Sequence, residues 1–463
     1  MRLAVSEGRT HFIGIGGIGM SALARLLLAR GLAVSGSDAQ ASHLTALLGA
    51  EGADVTIGHR GELVEGAARV IVSDAIAGDN PEVRRARELG LRLQRRSELL
   101  AELAADHRLI AVSGTHGKTT VTAMIGQILA EAGLDPTVVL GGEYEPFGGN
   151  ARIGRGEWMV AEACEAYESF LDLRPEIAVV TNIEADHLDH HKTEAHLRAS
   201  FAQFLSLVPP SGCVVLCGDR PELRQLAPAN AIWYGTEPEA EVRGTEPASD
   251  ARGSRCRLWV RGREAGELSV RAPGRHNLLN ALGALAAALR AGASLPEAQH
   301  ALAEFAGVGR RFDVLGEAAG VAVVDDYAHH PTEIAATLAA ARAVFPGRRL
   351  VAVFQPHLYS RTRDFAAGFA TALEAADVVA VTEIYPAREA PIAGVSAALI
   401  TAPLRRTRGE DGVLELAKQD VVTALARIVR PGDVVLMMGA GDIGDLARNT
   451  YRDLAGENGE QGT

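Results

Sequence analysis

The segment Ser113-Gly114-Thr115-His116-Gly117-Lys118-Thr119-Thr120 holds the parts that a bound polyphosphate requires. Its glycines open a nest of backbone N–H groups, Lys118 offers an ammonium to the transferring oxygens, and the Thr119 and Thr120 hydroxyls can reach a magnesium ion. Val112 stands where a strict GxxxxGK[ST] phosphate loop has its first glycine, but every chemical part remains. Lysine occurs only at positions 118, 192 and 418, and arginine fills the other basic positions. A lysine kept at 118 points to a need for a compact ammonium.

A second glycine turn, Gly14-Ile15-Gly16-Gly17-Ile18-Gly19, precedes Asp38 by roughly 20 residues, the spacing of a dinucleotide-type fingerprint. The glycines let a pyrophosphate approach the backbone, the following helix supplies free N–H groups, and the acid can hold a ribose. A plain packing turn in a doubly wound domain is the other reading. Acids and histidines that could complete a metal site follow two later strands: Glu162-Ala163-Cys164-Glu165, and Asn182-Ile183-Glu184-Ala185-Asp186-His187 with His190, His191 and His196 beyond it. A solvated loop explains those histidines equally well, and oxygen donors beside a phosphate loop favour Mg²⁺ over zinc. His276, Asn277 and Asn280 open an apolar helix. The amides can pair with an adenine edge, although N-capping also accounts for Asn277. Arg310-Arg311-Phe312, Asp325-Asp326-Tyr327-Ala328-His329-His330 and Gln355-Pro356-His357-Leu358-Tyr359-Ser360-Arg361 gather further Asp, His and Arg residues.

The elements that must position these groups alternate short β-rich runs with helical patterns, the habit of an α/β protein built from parallel sheets. Strands are expected at His11–Ile15, Ala33–Ser35 and Val70–Ser73. A second unit opens with strand Leu109–Val112 and helix Thr119–Ala132, followed by strands Trp158–Ala161, Ile177–Thr181 and Val214–Cys217 and helix His196–Leu207. Residues 235–272 read as a small antiparallel excursion before a buried helix at Leu278–Leu289. A third unit follows Arg311, with strands Val321–Val324, Leu350–Phe354, Val378–Val381 and Val434–Met438 and helices Thr332–Phe345 and Arg363–Ala375.

At 463 residues with 47% hydrophobic and 22% charged positions, the chain is long enough for two to four domains and too apolar to be disordered. A formal net charge of −12 argues against a nucleic-acid binder. No long uninterrupted apolar run calls for a membrane. The N-terminus lacks the order of a signal peptide, and Cys164, Cys213, Cys217 and Cys256 lack paired spacing. A cytoplasmic location is expected.

Taken in order, GIGGIGM, GTHGKTT, TNIEADHLD, HNLLN, GVGRRF, DDYAHHPTEI, FQPHLYSRTRDF and MGAGDI resemble the Mur ligases, the ATP-dependent amide-bond formers of peptidoglycan synthesis. The resemblance runs over nearly the whole chain and is nearest to the branch that joins L-alanine to UDP-N-acetylmuramate. It implies three α/β domains: a Rossmann-like domain at 1–105 for the UDP-sugar, a central P-loop ATPase at 106–310, and a Rossmann-like C-terminal domain at 311–463 that closes over ATP and amino acid.

By motif, the resemblance implies that Gly14, Gly16, Gly17, Ile18, Gly19, Asp38 and Ser73 meet the UDP-sugar. Gly114, Thr115, His116, Gly117, Lys118, Thr119 and Thr120 would hold the ATP phosphates, with Lys118 on the β- and γ-phosphates and Arg311 on the γ-phosphate. His276, Asn277 and Asn280 would meet the adenine and Asp326 the ribose. Thr119, Glu162 and His187 would bind Mg²⁺, for which Mn²⁺ could substitute. Tyr327, His329, His357 and Arg361 would line the muramoyl carboxylate and alanine pocket, and His329 is the candidate acceptor of the amine proton. A monomer or weak homodimer is expected, with neither nucleic acid nor membrane as partner.

Two departures stand out. Cys164 replaces an acid of the family's EADE, and Leu358 replaces a basic residue. The helix expected at 196–207 has no lysine, so no carbamylated lysine is expected. Three other readings stay open: a recycling ligase that joins L-Ala-D-Glu-diamino acid tripeptide to the same UDP-sugar, an NAD oxidoreductase suggested by the first glycine turn alone, and an ATP-hydrolysing binding module.

Overall fold

The structure, a computed structural model, describes residues 8–73, 75–186, 188–387 and 389–456. The chain divides into two compact units. One comprises residues up to 245 with 257–268 and 279–305, and the other comprises 246–256, 269–278 and the chain from 306 onward.

The first unit opens with a five-stranded sheet in the order Asp54–Ile57, Val34–Asp38, Arg9–Ile13, Ala67–Val72, Arg92–Arg95. All its pairings are parallel. The chain therefore starts in the middle strand and builds outward both ways. That reversal opens a crevice beyond the C-terminal ends of Arg9–Ile13 and Ala67–Val72, where ligands collect in such sheets. Ile13, Val64, Ala67, Val70, Val83 and Ala86 form an apolar core in this region. Glu82 is a fully buried charge. Its carboxylate meets His11 Nε2 at 2.7 Å and His59 Nδ1 at 2.9 Å, and accepts from the Ser37 hydroxyl at 2.8 Å. Burial would raise its pKa, but those three hydrogen bonds outweigh it and hold the carboxyl below its ordinary range.

A ten-stranded sheet follows. Strand Arg108–Ser113 lies between Trp158–Glu162 and Ile177–Val180, parallel to both. Beyond Ile177–Val180 the order continues through Cys213–Cys217, Ile232–Gly235, Val242–Asp250, Gly253–Val260 and Arg263–Val270. Beyond Trp158–Glu162 it ends in Thr137–Tyr144 and Gly149–Arg152. This last pair is antiparallel and closes that edge.

The second unit carries a six-stranded sheet in the order Asp313–Ala318, Val321–Asp326, Val434–Met438, Leu350–Phe354, Val378–Thr382, Val413–Leu416. Only the first pairing is antiparallel. Side chains alternate across a strand, so Val434, Leu436 and Met438 enter one core with Phe354 and Phe369, while Val435 and Met437 enter the opposite core with Val353 and Val421. Burial on both faces explains the uninterrupted apolar run VVLMM. No helix among the described residues is long and apolar enough to cross a membrane.

Most expected elements form within a residue or two of the stated positions. The helix expected to begin at Arg363 instead runs Tyr359–Leu373. Its start is set by Leu358 at φ +67° and by Glu389, which accepts from the Ser360 backbone N–H at 2.8 Å, a cap from 29 residues away. Arg361 therefore sits buried in a first helical turn rather than in a loop.

Removing Glu82 takes a partner from His11 in the interior and from the partly exposed His59. Glu82→Leu is expected to destabilise the first unit by about 3 kcal/mol or more. Urea unfolding followed by circular dichroism measures it, and a change near zero would contradict the network's role.

Candidate active site

In the first unit, the glycine turn lies at the C-terminal end of Arg9–Ile13. Gly14 and Ile15 donate backbone N–H groups to Ser37 O at 2.8 and 2.9 Å. Asp38 ends the neighbouring strand, and its Oδ2 accepts from Gly16 N at 2.8 Å. A Cβ on Gly16 would come within 3.0 Å of that oxygen, so the turn is closed by the very acid that the sequence assigned to a ribose. Ser73 comes next to Gly14, where a Cβ would sit 3.3 Å from its own. The structure thus brings Gly14, Gly16, Gly17, Ile18, Gly19, Asp38 and Ser73 to one crevice. Arg96, absent from the sequence-based set, lies there too: a Cβ on Gly19 would be 3.1 Å from its guanidinium. Arg96 follows the edge strand Arg92–Arg95, and no local pattern in the sequence signals it.

The phosphate loop links Arg108–Ser113 to the helix Lys118–Glu131. Gly114 has φ +126°, and a Cβ there would lie 2.2 Å from Thr181 Oγ1, so no other residue fits. The loop is clamped by the next strand end. Thr181 Oγ1 donates to His116 O at 2.6 Å, Asn182 Oδ1 accepts from His116 N at 3.0 Å, and Glu184 N donates to Thr115 Oγ1 at 2.9 Å. Lys118 Nζ donates to Gly114 O at 2.5 Å, to Thr115 O at 3.1 Å and to Glu165 Oε1 at 3.0 Å. Burial alone would lower the pKa of this ammonium; the adjacent Glu165 carboxylate reverses that and holds it above the ordinary lysine value. Burial pushes the neighbouring Cys164 thiol up to about 11, so it stays neutral. Glu165 and Asn182 are the groups that the sequence-based set omitted, although both lie inside motifs quoted for it.

Thr119 and Thr120 are buried in the first turn of the helix. Glu162 ends strand Trp158–Glu162, and its carboxylate accepts from Gly141 N at 2.5 Å. Asn280 faces the loop: a Cβ on Gly117 would come 2.6 Å from its Oδ1. His187 lies outside the described residues.

In the second unit, His276 and Asn277 occupy the first turn of the helix Arg275–Ala291. The helix starts two residues before Asn277, whose Nδ2 donates to Pro273 O at 2.8 Å. Burial is the main cause that pushes the His276 imidazole down to about 4, with Arg311 adding to it and Glu333 opposing. The Asp326 carboxylate accepts from Phe312 N at 2.8 Å and Ala328 N at 2.7 Å, and burial raises its pKa to about 6 against the pull of Arg311. Arg311 stands between Arg310 (φ +59°) and Phe312 (φ +52°), two strained positions that turn its guanidinium to 4.8 Å from the Tyr327 ring centre. The rings of Tyr327 and His329 are 5.2 Å apart and those of His329 and His357 6.2 Å apart, and Arg361 Nη1 lies 3.3 Å from His357 Nδ1. His329 Nδ1 lies 2.8 Å from Tyr327 O and 3.3 Å from Glu333 Oε2. The four residues expected to line the amino-acid pocket therefore form one connected group.

Parallel sheets with a phosphate loop at one switch point and a glycine turn at another define a nucleotide-binding α/β protein. Three family models match it in succession: the Mur ligase family catalytic domain over residues 9–108, the Mur ligase middle domain over 112–288, and the Mur ligase glutamate ligase domain over 310–441. The chain is 47% identical to a UDP-N-acetylmuramate–L-alanine ligase of Symbiobacterium thermophilum, covering 95% of this chain and 93% of that protein. It is 46% identical to one of Burkholderia cenocepacia, covering 94% and 96%. The crystal structure of the corresponding ligase of Thermotoga maritima superposes with a TM-score of 0.84 at 30% identity, over 97% of this chain and all of that one. A murein peptide ligase of Psychrobacter arcticus shares the fold at a TM-score of 0.74 and 24% identity, over 97% and 99%. The chain belongs to the Mur ligase family and has its three-domain architecture.

The buried His276 yields a test. Folding favours its neutral form, so the stability it contributes is fully present above the ordinary histidine value of about 6.5 and is lost as pH falls toward about 4. Urea midpoints of the parent protein and His276→Gln are expected to converge over that window; a gap that stays constant would remove His276 as the cause.

Proposed function

We propose that this protein is an ATP-dependent ligase that joins L-alanine to the lactoyl carboxylate of UDP-N-acetylmuramate, in the cytoplasm, releasing ADP and phosphate. The observation that carries the reading is the near-full-length likeness to ligases named for that reaction, on a chain that keeps a buried lysine at the phosphate loop. The runner-up, a recycling ligase for a preformed tripeptide, is the weaker match.

The chemistry follows from need. A carboxylate is a poor acylating agent, so the γ-phosphate of ATP is first transferred to it, and the alanine amine then displaces phosphate from the acyl phosphate. Attack of one anion on another requires positive charge in place beforehand. In this reading Lys118 leaves Glu165 partly for the β- and γ-phosphate oxygens, and Arg311 takes the γ-phosphate. The loop from Gly114 to Gly117 supplies backbone N–H groups, with Thr115, His116 and Thr120 shaping it. Asn280, His276 and Asn277 meet the adenine. A neutral His276 suits that task because an uncharged imidazole packs against a base without a desolvation cost for charge. Asp326 meets the ribose through lone pairs that the two backbone N–H groups leave over.

The oxygen donors fit a hard divalent cation. The buried Thr119 hydroxyl and the Glu162 carboxylate, held by Gly141 N, would hold Mg²⁺, or Mn²⁺ in its place, with His187 as a further ligand. Such an ion, when bound, neutralises phosphate charge. The Gly14–Gly19 turn with Asp38 and Ser73 takes the UDP-sugar diphosphate and ribose. Tyr327, His357 and Arg361 take the muramoyl carboxylate and alanine. His329, whose Nδ1 is engaged by Tyr327 O, presents Nε2 as the acceptor of the amine proton. We place domain boundaries after residues 105 and 310.

Phosphate release from ATP with UDP-N-acetylmuramate is expected to depend on L-alanine and to be absent with the tripeptide as acceptor. Lys118→Ala is expected to lower it by on the order of a thousandfold while leaving the circular dichroism spectrum unchanged. Release with the tripeptide alone would move the protein to the recycling reaction, and near-normal turnover of the lysine variant would remove the phosphate-loop assignment.

A further inference from the structure

The histidines beyond residue 187 are not absorbed by the ligase chemistry. His191 and His196, together with Glu168, form a group whose ligand atoms all lie within 4.8 Å of one another. His191 is 1% exposed, and its Nε2 lies 3.0 Å from the backbone oxygen of Glu165. A carbonyl can only accept, so Nε2 carries the proton and Nδ1 presents a lone pair. That Nδ1 is buried and has no hydrogen-bond partner among the described residues. A buried acceptor with nothing to accept from is costly, and a cation is one remedy.

The other two donors are already spaced for one. His196 Nε2 lies 3.1 Å from Glu168 Oε1, against about 3.3 Å between ligand atoms of a tetrahedral zinc ion with bonds of about 2.0–2.1 Å. Ser200 Oγ donates to the same carboxylate at 2.5 Å, and with His196 it holds Glu168 below the usual carboxylate range, hence charged. The backbone is strained to bring Glu168 there: Tyr167 and Glu168 are successive non-glycine residues in the left-handed region, at φ +54° and +55°. The Tyr167 ring packs edge-on to His190 at 5.1 Å, which fixes the segment that carries His191. Strain of this kind gathers at ligand clamps.

We propose that Glu168, His191 and His196 form a site for a borderline-soft divalent cation, zinc by class, separate from the residues assigned to Mg²⁺. Two imidazoles and one carboxylate suit zinc and its transition-metal neighbours and disfavour Mg²⁺ and Ca²⁺, which take oxygen ligands. The hydrogen bond from His191 Nε2 to a carbonyl is the outer contact that orients a metal-bound imidazole. The ion would fasten the strained turn at 166–168 to the segment 188–191 and the helix Glu194–Ser206. Because the carbonyl that orients His191 belongs to Glu165, whose carboxylate holds Lys118, the site braces the residue that pairs with the phosphate-loop lysine.

The test uses the full-length protein, stripped with a chelator and then titrated with Zn²⁺ against a chromophoric competitor in saturating Mg²⁺. Co²⁺ in a parallel experiment reports coordination through its visible spectrum. One Zn²⁺ per chain is expected, with a rise in the thermal midpoint. His196→Ala and Glu168→Gln, both at partly exposed positions and expected to fold, should weaken binding by more than about tenfold and lose the thermal shift. Cys164→Ser should keep both. Zinc affinity unchanged in the two variants, loss of binding in Cys164→Ser, or no zinc binding by the parent protein would each overturn the proposal.

Discussion

A buried ammonium is the constraint around which the phosphate loop is organised. The Lys118 side chain is only 16% exposed, and a charge in that position is tolerated only if oxygen surrounds it. Gly114 O, Thr115 O and Glu165 Oε1 provide that oxygen. To aim two loop carbonyls at one side chain, the backbone must turn through a conformation that only glycine accepts at position 114, and the outer face of that turn must be braced. Thr181, Asn182 and Glu184 brace it from the adjacent strand end. With Cys164 neutral, where many family members carry an acid, Glu165 is the carboxylate in direct contact with the lysine.

The same physical solution recurs in the first two sheets. A parallel sheet that starts in its middle leaves the C-terminal ends of two diverging strands uncovered, and the turns that follow them carry the polar groups. Gly14 and Ser73 follow one such pair, the phosphate loop and Glu162 lie at the ends of another, and in the third sheet Asp326 ends one strand and His357 follows another. Within the first unit two of these sheets are fastened together. The helix Ile18–Ala29, which starts at the glycine turn, meets the edge strand Gly149–Arg152 through Asn150, a fully buried amide that donates to Ile18 O at 2.6 Å and Ser21 Oγ at 2.7 Å. The carbonyl at the first turn of a helix is normally committed along the helix axis, so a second donor there fixes the turn's orientation as well as its place.

What the sequence displayed were interactions local in the chain: glycine turns, strands of β-branched residues, helices with apolar faces. The phosphate loop and the strands Leu350–Phe354 and Val434–Met438 were legible for that reason, whereas the grouping of Tyr327, His329, His357 and Arg361 followed only from the family resemblance. What it hid were partners far apart in the chain. Glu389 as the cap that starts the helix at Tyr359, Arg96 against Gly19, and Asn150 on the first helix each depend on a fold already formed. Weakly patterned edge strands such as Asp54–Ile57, Gly149–Arg152 and Arg92–Arg95 were also missed, since they bury too little to show a period. The helix Ala398–Arg408 was obscured by Pro403 within it.

Two acids show why a motif alone does not fix a role. Asp38 and Asp326 both end a strand and both read as ribose ligands, yet each uses its carboxylate to hold a backbone turn. Asp38 accepts from Gly16 N at 2.8 Å through Oδ2 and from Gln40 N at 3.3 Å through Oδ1. Asp326 is engaged through both oxygens, by Phe312 and Ala328, and its burial raises its pKa to about 6. A carboxylate so placed fixes the strained segment Arg310–Phe312 against the end of strand Val321–Asp326, and with it the direction of Arg311. Its elevated pKa also means that a hydroxyl donor would stabilise the charged form where solvent cannot. The turn-holding and ribose-binding roles of Asp326 are thus compatible: the backbone donors set its position, and the remaining lone pairs leave the ionised form in want of a further donor.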